Sequence, residues 1–411
     1  MYTLNDILKQ VRTASVKNPL ITSLRLEWNR HAVYAAEHSI IDDIFDLLSE
    51  VRNLKVRNWL YGLWYDASVR SENGFWDGKV PDISIFQRLR DRVDAESISV
   101  EGMAYHIIAK ASMQYIEGDW YSANTLYRKA AALHNANHSS LIGQAIGAHT
   151  VSSMQDYLRA QSGQETPSWL SEILWVSEPK SDDPLYFVGC DSVYFAAFAA
   201  DLCKSIDQVE SLKNIHFHVS NPIDEIYTIH KKIVSDHSGV DVSLSVGNFD
   251  VQDEKAAHTC IRFWRLPEIL RRLDRPVIIV DADGILKEPV LSNIVADRRC
   301  VAGVNLGFRR FVNYPNVHPW RGVSANCLFI KPQALDFSIG LAKILNYSFD
   351  RSGANHWWID QNALGTAYKM RTKFTNLTSI DVGAYAARGL ALFEAKGEKL
   401  RAAKESIGLS I

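Results

Sequence analysis

The sequence predicts an α/β fold, with a mostly parallel sheet from about residue 184 onward and an all-helical domain before it. Three observations carry this. Beyond residue 184 short apolar runs alternate with helical stretches, the signature of βαβ units. Val277–Val280 is four β-branched residues in a row, apolar on both faces as a central buried strand requires. Residues 1 to about 175 instead hold helix formers and seven of the 11 tryptophans, from Trp28 to Trp175, with few strand-like alternations. Such rings fill the gaps between packed helices.

At 411 residues, a norm of about 150 per domain gives two or three domains. The first, 1–178, is helical, with Gly74, Gly78 and Pro81 marking a loop. Within it Gly118, Trp120, Ala123, Tyr127 and Ala130, preceded by Ala111 and Tyr115, resemble a single tetratricopeptide unit over roughly 105–137. Small residues there let two antiparallel helices approach, and aromatics fill the space between them. Shifting by 34 residues puts Ser84 and Ser152 at the glycine position, so one unit is visible. Residues 176–184 are polar with two prolines and read as a linker. The second domain is 184–411. Its expected strands are 185–188, 215–219, 240–246, 277–280, 301–304 and 327–330, with helices over 193–206, 222–235 and 259–273.

Composition excludes several classes. Hydrophobic residues are 47% and charged residues 22%, which is globular and excludes a disordered chain. The net charge of −2 gives no basic face for nucleic acid. No apolar run reaches the roughly 18 residues of a bilayer span. The start has no basic stretch followed by an apolar one, so no secretory signal is expected. Five cysteines without CxxC spacing suit a reducing compartment. The expected location is the cytoplasm, with peripheral attachment to the inner membrane left open. Under that reading the sequons at Asn137, Asn346 and Asn376 carry no weight.

The chemistry concentrates where the buried strand ends, at Asp281, Ala282 and Asp283. In open α/β sheets ligands bind outside the carboxyl ends of strands. Two aspartates at i, i+2 can converge on a hard divalent cation. A cation so held would bridge a diphosphate and stabilise the charge that develops as it leaves. Asp-x-Asp is common by chance, and its place behind Val277–Val280 gives it weight. His216 and His218 alternate along one strand, and a structural role suits them better than metal binding, since no third ligand is evident.

With these residues in view, the part from about 184 onward resembles the metal-dependent glycosyltransferases with the GT-A fold, and within them glycogenin and the bacterial lipopolysaccharide galactosyl- and glucosyltransferases. Residues 186–194, with Asp191, are similar to that family's opening strand and nucleotide-contacting aspartate. Residues 261–270 are similar to the helix before the metal motif, and Arg262 matches an arginine near the donor. Ser324, Ala325 and Asn326 stand where the family has Asn-Ala-Gly beside the donor sugar. Residues 357–364, with Asp360 and Gln361, resemble its Asp-Gln-x-x-Leu segment. Residues 391–399 resemble a late segment in which Glu394 replaces a histidine metal ligand and Lys399, or Lys396, meets the diphosphate.

The resemblance implies a hexosyltransferase acting with retention of configuration and using Mn2+ or Mg2+ held by Asp281, Asp283 and Glu394. Asp191, Arg262, Ala282 and Lys399 would line the donor, a uridine diphosphate sugar first among candidates. Asp360 would bind sugar hydroxyls, and Gln361 would lie beside the anomeric carbon. The acceptor would be a glycan, a lipid-linked sugar or a protein, and the helical domain could recruit a protein partner. Two rivals stand beside this reading. A haloacid-dehalogenase-like phosphatase would use Asp281 as nucleophile, but Ile285 stands where that family wants threonine. A helical scaffold with a degenerate transferase domain would have no need of the aspartate pair.

Overall fold

The computed structural model describes residues 119–133 with scattered positions before them, Val151, and then 154–297, 301–305, 323–350, 359–374, 379–393 and 395–408. The chain divides into two compact units, Met1–Gly147 with Phe311–Pro319, and Ala148–Arg310 with Trp320–Ile411.

In the first unit helix α1 (Trp120–Leu133) starts at Asp119, whose carboxylate accepts a bond from the Ser122 amide at 3.2 Å. That is an N-terminal cap for an otherwise unpaired donor. Ala123, Tyr127 and Ala130 are fully buried, as is Ala111, so the small and aromatic positions share an inward face. Tyr115, Gly118 and most of the expected 1–178 helical domain lie outside the described residues.

The second unit is the expected α/β fold, with a mostly parallel sheet at its centre. In chain order it comprises α2 (Met154–Ser162), β1 (Leu174–Ser177), β2 (Leu185–Asp191), α3 (Ser192–Val209), β3 (Asn214–Ser220), α4 (Glu225–Asp236), β4 (Asp241–Gly247), α5 (Glu254–Leu273), β5 (Val277–Val280) and β6 (Gly284–Leu286). There follow α6 (Leu291–Ala296), β7 (Ala302–Asn305), β8 (Ser324–Ile330), α7 (Leu335–Phe349), α8 (Ile359–Lys369), β9 (Ser379–Asp381), α9 (Gly383–Gly389), β10 (Leu390–Leu392) and α10 (Lys396–Ser406). The six strands expected from sequence are present, their ends displaced by three residues at most.

One sheet has the order β1-β4-β3-β2-β5-β8-β7-β9, and β6 pairs with β10 in a small ribbon. Strands β4, β3, β2 and β5 are mutually parallel, whereas β8 runs antiparallel to both β5 and β7. From β2 the chain builds outward through β3 and β4, then returns through α5 to place β5 on the other side of β2. The order therefore reverses at β2 and β5, and the crevice outside their carboxyl ends is where an open α/β sheet receives a ligand.

The unit begins earlier than the 178/184 division read from sequence. Strand β1 pairs antiparallel with β4, Leu174 opposite Val246 and Ser177 opposite Leu244. It is a short edge strand whose residues alternate between exposed and half-buried, so its apolar pattern is too brief to stand out from the linker. Helix α2 joins the same unit: Tyr347 donates to Asp156 at 3.0 Å and Lys343 to the Gln161 carbonyl at 2.9 Å.

Two features fix the sheet's interior. At Gly189 in β2, an added Cβ would lie 2.8 Å from Ile261 Cγ2 and 2.9 Å from both Cβ and the backbone nitrogen of Arg262. Only glycine lets α5 approach this closely. Gly189→Ala is expected to cost about 1–3 kcal/mol, since the obstruction includes backbone and must be met by a shift. Chemical denaturation of the variant checks this.

His216 is fully buried between Ser243 Oγ and Ser245 Oγ, each at 2.8 Å, and stacks on Trp175 at 4.6 Å. His218 reaches Ser245 Oγ at 3.0 Å. The pair is therefore structural. Burial, with His230 adding to it, pushes the His216 pKa down to about 3. The folded state thus holds a neutral ring, whose stabilisation is complete above the ordinary value of 6.5 and is lost as pH falls toward 3. Urea denaturation at pH 7.5 and pH 5 should show a loss of stability that His216→Gln makes smaller.

Candidate active site

The crevice at β2 and β5 gathers Asp191, Arg262, Asp281, Asp283 and Asp360 of the residues singled out above. Asp191 is the last residue of β2 and caps α3, accepting from the Tyr194 amide at 2.7 Å. Asp281 follows β5 directly. Strand β8 brings Asn326 alongside, because its antiparallel register sets Cys327 opposite Val280.

Arg262 joins these elements from α5. Its side chain is 8% exposed, and its guanidinium bonds to Asp281 and reaches Asp360 Oδ2 at 3.4 Å. Burial works against its charge, but Asp281 and Asp360 outweigh burial and hold its pKa above the ordinary value. Asp360 opens α8 and accepts from the Gln361 amide at 2.7 Å. Burial raises the Asp360 carboxyl pKa, against the pull of Arg262. One guanidinium thus serves two carboxylates from different segments, which fixes α8 relative to β5. Gln361, next along, is half-buried.

Asp283 is also buried, and its partner is Lys396 at 2.5 Å, on the first turn of α10. Burial opposes the Lys396 charge, and the bond to Asp283 outweighs it and raises its pKa. The same ammonium lies 5.1 Å over the Tyr194 ring. Ala282 is buried between the two aspartates. The other lysine read from sequence, Lys399, pairs with Asp201 of α3 at 2.5 Å and sits over Phe393. Glu394 lies outside the described residues.

At the start of β8, Ser324 donates to Asn326 Oδ1 at 2.8 Å, and Asn305 Nδ2 donates to the same oxygen at 2.8 Å. Ala325 is buried between them. The stretch read as a sugar-side segment is thereby tied to the carboxyl end of β7. Asp381 ends the adjacent β9, and an added Cβ on Gly383 would lie 2.8 Å from Asn305 Oδ1 and 2.9 Å from Asp381 Oδ1.

His258 escaped the sequence reading. It sits on α5 one helical turn before Arg262 and shares a 2.7 Å hydrogen bond with Ser220, which lies opposite Asp191 in the β2–β3 register. Burial pushes its pKa down, while Asp191 and Glu254 pull it up. The i, i+4 relation to Arg262 was the available signal.

Asp281 and Asp283 suit a divalent cation by donor type, being hard oxygen ligands. Asp281 is 30% exposed and Asp283 8% at the side chain. Each now faces a cationic side chain, so positive charge already complements both. Among the described residues, no cluster of three His, Cys, Asp or Glu side chains forms a cage for a metal.

No protein-family model and no curated protein matches the sequence. Among solved structures, the chain is similar to the WbbM bifunctional glycosyltransferase in its apo form, at 17% identity and a TM-score of 0.34, covering 56% of this chain and 45% of that one. It is also similar to the galactosyltransferase LgtC in complex with donor and acceptor sugar analogues, at 14% identity and a TM-score of 0.32, covering 48% of this chain and 72% of that one. The chain thus spans less than half the length of the WbbM chain. Among the described residues no helix is long and apolar enough to cross a membrane.

Proposed function

We propose that the chain is a glycosyltransferase that moves a hexose from a nucleoside-diphosphate donor to a glycan, lipid-linked or protein acceptor. The observation that carries this reading is the buried Arg262–Asp281–Asp360 ion cluster, which stands with Asp283 and Asp191 at the point where the strand order reverses. A phosphatase built on Asp281 as nucleophile gives Asp360 and Arg262 nothing to do, and a buried guanidinium bonded to the nucleophile would blunt it.

In this reading Asp191 meets the nucleotide at the mouth of β2, with His258 and Ser220 behind it. Asp281 and Asp283 would hold a divalent cation, Mn2+ or Mg2+, with Glu394 as the third ligand suggested by the resemblance. That cation, when bound, neutralises charge on the departing diphosphate. Lys396, beside Asp283, supplies a further positive charge there. Arg262 pairs with Asp281 and fixes Asp360, so that the Asp360 carboxyl and the Gln361 carboxamide present fixed groups to the sugar. Such positioning is worth several powers of ten when the reacting atoms are held close. Ser324 and Asn326 line the sugar side. The resemblance to the glycogenin group implies retention of anomeric configuration, with a uridine diphosphate sugar as the first donor to try.

The test is a panel of UDP- and GDP-sugars incubated with Mn2+ and with EDTA. We expect slow hydrolysis of at least one donor in Mn2+ and none in EDTA. Release of phosphate from p-nitrophenyl phosphate with no donor turned over would assign the site to a phosphatase instead.

A further inference from the structure

Apart from the aspartate crevice, the second unit has a cleft of about 360 Å3 between α2, the segment 163–169 and α7. Trp169 forms one wall. Its ring is held by edge contact with Trp264 at 4.9 Å and by Phe249 and Phe349 at 6.0 and 5.5 Å, so it presents a rigid, half-exposed surface. Around it stand Arg159, Gln164, Lys343, Asn346 and Asp350.

Asn346 carries the sharpest signal. Its Nδ2 donates to the Gln164 carbonyl at 3.2 Å, while its Oδ1 is buried with no donor among the described residues reaching it. A buried carbonyl oxygen without a partner is uncommon and costly, and a turn of the Asn346 side chain into the cleft it lines would give that oxygen a donor from a ligand. Of the two cations of the cleft, Lys343 donates to the Gln161 carbonyl at 2.9 Å and Arg159 lies 3.9 Å from Asp156, and Asp350 adds a negative charge to the lining. A concentrated phosphate charge would therefore meet a carboxylate as well as cations. A ring bearing several hydroxyls fits better: its C–H face packs on an indole, and its hydroxyls both donate to Asn346 and Asp350 and accept from Gln164 and Lys343.

We infer that this cleft binds a sugar residue of a glycan, at a place separate from the donor site. The cleft stands on its own residues. The transferase reading gives it a use, as a hold on an acceptor chain while its end reaches the crevice.

The test uses the full chain in EDTA with no nucleotide. Saturation-transfer NMR is run with methyl glucoside, methyl galactoside, methyl mannoside, lactose and maltotriose. At least one saccharide should bind, and Asn346→Ala and Gln164→Ala should each weaken it by about 5-fold, the loss of one hydrogen bond. Gln164 is exposed, so its variant leaves folding intact, which circular dichroism checks. Asp283→Ala should leave the affinity within about twofold. Absence of binding by every saccharide, or wild-type affinity in both cleft variants, overturns the inference, as does loss of binding in Asp283→Ala. Saccharide binding by a protein that hydrolyses no donor would keep the cleft and reject the transferase reading.

Discussion

Arg262→Met is expected to destabilise the fold by about 3–5 kcal/mol, the penalty for stripping the partner from buried charge. Asp360, 8% exposed, would lose the cation paired with it and keep its burial. Asp281, more exposed, would lose less. Equilibrium urea denaturation measures the effect. Arg262→Lys should recover only part of the stability, because one ammonium cannot fork between two carboxylates as a guanidinium does. The double variant Arg262→Met with Asp360→Asn should be more stable than Arg262→Met alone, since the stranded charge is gone. A loss below about 1 kcal/mol in the single variant would show that the ion cluster is not what ties α8 to the sheet.

Asp283→Ala should act the other way, with large loss of chemistry and little loss of fold. Under the proposed function it removes one of two carboxylates that hold the cation, and donor hydrolysis in Mn2+ should fall by a factor of about 100 or more. Stability should change little, because the partner left behind, Lys396, has a 43% exposed side chain and can turn into water. Turnover near wild type would remove Asp283 from the metal site. A steep drop in melting temperature would mark the Asp283–Lys396 pair as structural instead.

The parts of this architecture that depend on local pattern were legible in the sequence. Val277–Val280 announces a strand buried on both faces, and the observed strand has those limits. Asp281 at its end follows from the chemistry of open sheets. The resemblance sets Arg262 near the donor motif, and in the structure its side chain meets Asp281. What depends on distant pairing was not legible. Strand β1 has too few apolar residues to declare itself, and it exists because β4 offers an edge. The choice of Lys396 over Lys399 turns on how α10 is rotated against α3, which no local pattern encodes. His258 looks like one histidine among 13 until Ser220 is placed beside it by the β2–β3 register. Asn305 and Asp381 meet at adjoining ends of β7 and β9, strands more than seventy residues apart in the chain.

The reversed direction of β8 has a practical consequence for anyone redesigning the molecule. Because it runs against β5, its first residue and not its last stands at the rim with Asp281. A peptide spliced in just before Ser324 would be delivered onto that rim, where it could reshape what is accommodated. The same peptide spliced in after Ile330 would emerge at the opposite margin of the sheet, suited to a tag or a tether.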